Sequence, residues 1–351
     1  MNRRSISLSV AVMALTILVG VALLVPVPYV VMSPGLTENT IGKFDGKEVI
    51  GIEGAKTYPT SGRLDLTTVS VTSPGSDVRL PDVLGAWWSA ERILLPREVV
   101  YPPDQSVQQV EEENQTQMLG SMDSARAVGL AQAGVDAVKV KVEGVTPDAP
   151  ADGVLQEGDE IVAVNSTAIG STQAAVDAIS TIAPGSRIAL EIVRSGSSQE
   201  VRVTTAPSPE DAAQSRVGVI LSDDFDPPFE VDIELGQEIG GPSAGLMFSL
   251  GIYDKLTPGE LTGGAHIAGT GTIDVGGRVG EIGGIQQKIA GAREIGATIF
   301  LVPAGDCADV GGFADDEEIR LVKVATMDDA VEALESLRAG DESSVEGCDS
   351  Q

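Results

Sequence analysis

A lysine stands on the apolar stripe of a helix. From Ile285 the apolar residues recur at Ile289, Ala292 and Ile295, the spacing of one helix face. Lys288 falls between them on that same face, while Gln286, Gln287, Arg293 and Glu294 fall mostly on the other. The Gly283-Gly284 pair opens the pattern. A lysine so placed is seldom fully buried without a reason. The plain alternative is a side chain that snorkels from the edge of the stripe. Any fold this chain adopts must find water for that ammonium or a use for its neutral form.

A second stretch supplies a use. Gly240-Gly241-Pro242-Ser243-Ala244-Gly245 is a flexible turn that runs into the apolar segment Leu246 to Tyr253. Pro242 suits a helix start, where a missing N–H costs nothing. Small neighbours, Gly241, Pro242 and Ala244, let a substrate backbone approach Ser243. Free N–H groups and the positive dipole end of the helix would face the serine and could hold an oxyanion. The bland reading of Ser243 is a helix cap.

An ordinary lysine, with a pKa near 10.4, is neutral in only about one molecule in 2,500 at pH 7. Desolvation disfavours the ammonium. Bringing the pKa to ~7 takes roughly 4–5 kcal/mol. A neutral Lys288 could then accept the Ser243 hydroxyl proton, the Ser-Lys form of nucleophile activation.

The order Gly241-Pro242-Ser243-Ala244-Gly245, then Ala268-Gly269-Thr270-Gly271-Thr272-Ile273, then Gly283-Gly284-Ile285-Gln286-Gln287-Lys288 resembles the proteolytic domain of Lon proteases over about residues 215–338. The serine-to-lysine separation of 45 residues fits as well. The resemblance implies that Ser243 is the nucleophile, Lys288 the general base and Thr270 a supporting hydrogen-bond partner. Two positions depart from the family. Gly240 stands where Lon usually has Asp, and Thr272 where it usually has Glu.

Other chemistry is scarce. The single His266 sits in an apolar strand-like stretch, and there are two cysteines, Cys307 and Cys348. A zinc site needs three or four good ligands, so neither metal nor cofactor is expected. Lys255 lies 12 residues beyond Ser243, about 18 Å along one helix, and Lys323 alternates with Val322 and Val324 as an outward strand position. The two cysteines could pair in an exported protein. No Gly-x-x-x-x-Gly-Lys-[Ser/Thr] loop occurs, so ATP is not expected to be used.

The 351 residues imply about two domains plus accessory sequence. A net charge of −29 argues against nucleic acid and against broad adhesion to anionic lipid. Arg3-Arg4 precede an apolar run from Ile6 to Val25, long enough to span a bilayer, and no further Lys or Arg appears until Lys43. The charge bias puts the N-terminus inside and the bulk outside, favouring an uncleaved anchor in the cell membrane over a signal peptide. Leu64 to Val71 alternates as a strand, Trp87-Trp88 are expected in a core, and Glu111-Glu112-Glu113 is a solvated run on a helix.

Residues 131–206 resemble a PDZ domain, most clearly at Leu155-Gln156-Glu157-Gly158-Asp159-Glu160-Ile161. By that resemblance it captures chain ends by strand addition. The usual carboxylate loop is not evident, and Ala127-Val128-Gly129-Leu130 is a weak candidate. The alternative is a PDZ unit that only packs as a lid or spacer.

The expected fold class is α+β: a single N-terminal transmembrane helix, a PDZ-like β-sandwich or barrel, and a Lon-type α+β proteolytic domain. The expected divisions are 1–32 anchor, 33–130 membrane-proximal mixed region, 131–206 PDZ-like domain, 207–216 linker, 217–339 protease domain and 340–351 acidic disordered tail. The function implied is an ATP-independent serine endopeptidase acting on unfolded, flexible or membrane-proximal extracytoplasmic polypeptides. A non-catalytic PDZ scaffold with a degenerate protease domain is the alternative. The Lon resemblance also admits a homo-oligomer.

Overall fold

The computed structural model describes residues 3–348 apart from Pro74, Ala90, Pro103, Asp136, Gln237 and Glu238, and excludes the side chains of residues 3–7, Ala22 and Asp315. In chain order the principal elements are α1 (Arg3–Leu24), β1 (Tyr29–Asn39), β2 (Arg63–Val71), α2 (Leu80–Trp88), β3 (Ile93–Pro96), α3 (Val107–Gln132), β4 (Val138–Val145), β5 (Glu160–Val164), α4 (Thr172–Ser180), β6 (Arg187–Arg194), β7 (Ser197–Thr204), β8 (Val219–Phe225), α5 (Gly245–Leu256), β9 (His266–Gly269), α6 (Ile285–Glu294), β10 (Ile299–Pro303), β11 (Arg320–Val324) and α7 (Met327–Ala339).

The larger sheet runs β11-β10-β9-β2-β1-β3. Its C-terminal half is parallel, with α6 crossing from β9 to β10, and β2 joins it parallel to β9 with His266 beside Arg63. Strand β2 is therefore central. Leu64, Asp65, Leu66 and Thr67 are all buried, because a strand between two neighbours and covered on both faces has no solvent side. Helix α5 lies in the core and is buried from Gly245 through Ile252, as an apolar helix must be when no face meets water.

Helix α3 packs on α5. Met118, Ser121, Met122, Ala125 and Val128 form its buried stripe. Gly129 permits the close approach: a Cβ there would come within 2.8 Å of Ile252 Cβ and of Ser249 O. Ser106 and Gln109 cap α3 reciprocally, and Thr326 with Asp329, an opening legible in the sequence Thr326-Met327-Asp328-Asp329, does the same for α7.

The smaller sheet runs β7-β6-β5-β4-β8 around a separate core containing Val140, Ile161, Leu190 and Ile192. The unit leaves the larger fold after α3 and returns through Asp226, whose N–H donates to Ala137 O at 2.9 Å.

Several sequence expectations need correction. The region 33–130 is not separate, since β1, β2 and β3 belong to the sheet that carries β9–β11. The boundary at 217 is too early, because β8 pairs with β4 in the smaller sheet. The 207–216 linker contains all but Ala206 of a small ribbon, Ala206–Pro207 against Ser215–Arg216. Such pairings are nonlocal, and periodicity along the chain does not encode them. Trp87 and Trp88 are 77% and 83% exposed rather than in a core.

The acidic tail is ordered through Cys348. Cys348 is buried and bonded to Cys307, with Cα atoms 5.1 Å apart, and Lys323 N donates to Glu346 O at 2.9 Å. A cross-link and main-chain pairing here override a composition that otherwise favours disorder. Residues 349–351 of that tail lie outside the described residues.

Among the described residues, no helix is long and apolar enough to cross a membrane. The run expected to do so, Ile6 to Val25, lies in and just beyond α1, and the side chains of residues 6, 7 and 22 fall outside the description.

A fragment starting at residue 217 lacks β1, β2 and α3, and so exposes the β9 edge and one face of α5. It is expected to lack cooperative thermal unfolding and dispersed amide NMR signals, whereas a chain starting near residue 28 should show both. A natively folded 217–348 fragment would refute the shared sheet as a requirement.

Candidate active site

Four segments meet at the lysine. Lys288, on α6, is 2% exposed. Its Nζ lies 2.9 Å from Thr67 O on β2, 2.9 Å from Thr270 Oγ1 after β9, and 2.7 Å from Ser243 Oγ ahead of α5. Thr270 Oγ1 in turn donates to Ser243 O at 2.9 Å.

The proton count follows from these contacts. The Thr270 hydroxyl hydrogen is committed to Ser243 O, so Thr270 Oγ1 accepts from Nζ. Thr67 O can only accept. A neutral amine has two N–H groups and one lone pair. Both N–H groups are used, which leaves the lone pair toward Ser243 Oγ. In this state the serine hydroxyl donates to the lysine, the arrangement a general base requires.

Burial lowers the Lys288 pKa from 10.5 to about 7, against an opposing pull from the Asp306 carboxylate. Asp306 is itself buried, and burial raises its pKa to about 6; repulsion from Glu281 and Asp309 acts in the same direction. Its carboxylate accepts from Ile282 N at 3.1 Å. That bond steadies the segment preceding Gly283-Gly284. Gly284 has φ of 74°, a left-handed conformation that suits glycine at the start of α6, and Val69 Cγ1 would lie 2.7 Å from a Cβ there.

The serine turn is held from outside. Asn114 O accepts from Gly241 N at 3.1 Å and Ser121 Oγ donates to Pro242 O at 2.8 Å, both from α3. Ser243 O also accepts from Gly271 N at 2.9 Å. Gly241 adopts φ of 84°. Gly245 is obligatory, since a Cβ would meet Ile273 Cγ2 and Ser121 Oγ at 2.9 Å. Ala244 is buried behind the serine. In the first turn of α5, Leu246 N donates to Gly271 O at 3.1 Å, which ties the serine turn to the segment after β9.

The cleft has a volume of about 570 Å³. Met32, Val69, Ile239 and Ile282 give it apolar walls, and Gly241, Pro242, Ser243 and Lys288 reach it. Gly240, Thr272 and Glu281 also line it, so both departures from the Lon pattern face the substrate space.

The residues singled out in the sequence, Ser243, Lys288 and Thr270, come together as a contact set, with Gly241, Pro242 and Ala244 forming the turn. Sequence reasoning missed Thr67, which acts through its carbonyl and so carries no side-chain signal. It also missed α3 as the clamp on the serine turn. Gln287 is buried, not outward. The remaining candidates are occupied elsewhere. His266 Nε2 lies 2.5 Å from Asp65 Oδ2, and Lys255 Nζ donates to Glu48 at 2.7 Å and to Ile50 O at 2.6 Å. Among the described residues no group of three or more His, Cys, Asp or Glu is placed to hold a metal ion.

A second groove, of about 280 Å³, lies between α4 and β8, the terminal strand of the smaller sheet. Val176 and Ile179 face Val219 and Leu221 across it, and Ser215-Arg216-Val217-Gly218 closes one end. The loop candidate at Ala127 to Leu130 is instead buried in α3.

Residues 107–205 match the PDZ domain family, and residues 237–336 match the Lon protease (S16) C-terminal proteolytic domain. The chain is similar to the Lon protease of Clostridioides difficile (strain 630), 35% identical over 94 residues, which is 26% of this chain and 12% of that protein. It is 32% identical over 103 residues to the Lon protease of Phenylobacterium zucineum (strain HLK1), covering 29% of this chain and 13% of that protein. The chain thus spans about an eighth of the length of these relatives. Among solved structures it is similar to the PDZ domain of the SdrC-like protein from Listeria monocytogenes, at 23% identity over 24% of this chain and 87% of that one, with a TM-score of 0.22. Residues 107–205 thus match a PDZ domain and residues 237–336 a Lon-type proteolytic domain, a kind of domain that works as a Ser-Lys dyad serine peptidase.

Because the folded pKa of Lys288 lies below its unfolded value, the unfolded chain binds more protons between pH 7 and 10.5. Stability owed to this residue is complete above pH 10.5 and falls as pH drops toward 7. The cost at neutral pH is on the order of 4–5 kcal/mol. Lys288→Met is therefore expected to raise the melting temperature at pH 7, with an advantage over wild type that shrinks toward pH 10. Thermal scans of both proteins across that range check it, and a pH-independent difference would contradict a buried neutral amine.

Proposed function

We propose that this chain is an ATP-independent serine endopeptidase, anchored by α1, that cleaves unfolded, flexible or membrane-proximal polypeptides outside the cytoplasm. Ser243 attacks the scissile carbonyl. Lys288 takes its proton and later delivers it to the leaving amine, and water resolves the acyl-enzyme by the reverse route. Thr270 and Thr67 hold the amine in register by occupying its two N–H groups.

The observation that carries this reading is the 2.7 Å contact of Ser243 Oγ with a lysine amine whose other two partners are both acceptors. The cleft supports a polypeptide substrate, since its apolar walls, Met32, Val69, Ile239 and Ile282, flank Ser243. The PDZ groove supports capture of a chain end along β8, with the Ser215 to Gly218 loop at the carboxylate end.

The location outside the cytoplasm is supported by the Cys307–Cys348 disulfide, which belongs in an oxidising compartment, and by Arg3-Arg4 ahead of the apolar run. The anchor reading rests on the apolar run from Ile6 to Val25 in the sequence and on the apolar side chains exposed along α1 from Leu8 to Leu24.

The test is cleavage of an unfolded protein without nucleotide by wild type, Ser243→Ala and Lys288→Ala. Wild type is expected to cut, and each variant, still folded, to lose ~10³-fold or more in kcat/KM. Variants that cut like wild type would dismiss the dyad. The wild-type rate is expected to rise with pH through about 7 as Lys288 loses its proton. A rate flat from pH 6 to 8 would remove Lys288 as the base.

A further inference from the structure

The two tryptophans are the only ones in the chain, and they lie on its surface. Leu84, Trp87 and Trp88 occupy positions i, i+3 and i+4 of α2, one stripe of that helix. This stripe faces outward: Leu84 is 38% exposed, and the tryptophans far more. The opposite side of α2 carries buried Ala86. The helix thus presents its most apolar face to the surroundings. The two indole rings lie 6.1 Å apart, and Val99, just beyond β3, is exposed as well.

The position of α2 identifies what covers this face. Val27 N donates to Val78 O at 2.9 Å, and Pro26 bridges Arg79, so α2 begins beside the point where the chain leaves α1. The two helices pack together. The tryptophan stripe therefore lies on a helix that packs against α1, whose own apolar side chains are exposed. An indole has an apolar body and one N–H donor, and it settles where hydrocarbon meets headgroups. The chain's charge of −29 leaves no general attraction to anionic lipid, so insertion has to be apolar and aromatic.

We propose that Leu84, Trp87 and Trp88 form a membrane-interface foot, seated in the headgroup boundary of the bilayer beside the apolar N-terminal run. This rests on the reading of α1 as an anchor. The foot and the anchor enter neighbouring strands of one sheet: α1 leads into β1, and α2 into β3, which pairs with β1 from Tyr29 opposite Pro96. Met32, a wall of the cleft, lies three residues along β1 from Tyr29, about 10 Å at ~3.3 Å per residue. Two attachments at that edge fix the height and tilt of the cleft above the lipid. The substrates so presented are juxtamembrane segments and chains emerging from the bilayer.

Because Trp87 and Trp88 are the whole tryptophan complement, intrinsic emission reports on this face alone. Full-length protein would be reconstituted into phosphatidylcholine vesicles, with and without phospholipid brominated near the headgroup end of its acyl chains. Flotation would confirm association. The expected result is blue-shifted emission, quenched about two-fold or more by shallow bromine, less by bromine at the chain ends, and unchanged on adding anionic lipid. Trp87→Ser/Trp88→Ser protein, folded because both side chains are exposed, should float equally and cleave a soluble unfolded substrate at the wild-type rate. Its rate on a substrate tethered in the same bilayer should fall several-fold. Protein that floats but keeps unquenched, water-exposed emission would overturn the foot while leaving the anchor, and would assign the stripe to a protein partner. Protein that does not float would overturn both.

Discussion

The contact set at the centre of this molecule depends on burying one amine, which keeps only 2% of its surface exposed at the edge of the cleft. Burial does the work on the pKa, and three contacts define the orientation. The carbonyl of Thr67 and the hydroxyl of Thr270 use up both hydrogens of the neutral amine, so its lone pair has only Ser243 to address. A charged lysine would donate to all three and offer no base. The residue therefore weakens the fold at neutral pH in the same act that makes it useful, and the surrounding core has to compensate.

That compensation comes from distant parts of the chain. Strand β2 supplies Thr67 and lies at the centre of the larger sheet, between β1 and β9. Helix α3 supplies Asn114 and Ser121, which grip the turn at Gly241 and Pro242. The PDZ unit sits between these early pieces and the C-terminal pieces as an insertion. Its entry and exit are hydrogen-bonded neighbours at Ala137 and Asp226. The helix that clamps the serine turn is thus also the one from which the chain departs into the peptide-binding domain.

What could be read from the sequence was local. The stripe of α6 exposed Lys288 because helical periodicity is a property of neighbouring residues, and the Gly-Pro-Ser turn announced itself through residues with restricted or unusual backbones. The capping pair Thr326 and Asp329 was legible for the same reason. Thr67 was invisible, because a backbone carbonyl has no letter in the alphabet. Strand β8 was assigned to the wrong unit, because nothing in Val219 to Phe225 says which strand it pairs with. Trp87 and Trp88 misled by composition: large aromatics are usually covered by protein, and here they are not. The tail misled by its acidity, which gave no hint of the bond from Cys348 to Cys307.

The parallel pairing of β2 with β9 has a consequence in time. Arg63 to Leu66 leave the ribosome about two hundred residues before the strand they lie beside, and Thr67 waits longer still for Lys288. Loop closure on that scale is slow, and chains synthesised from the N-terminus complete their early segments first. No partial chain ending before α6 contains a base for Ser243. The contact set of Thr67, Ser243, Thr270 and Lys288 is therefore complete only when almost the entire sequence has been made and gathered into one sheet.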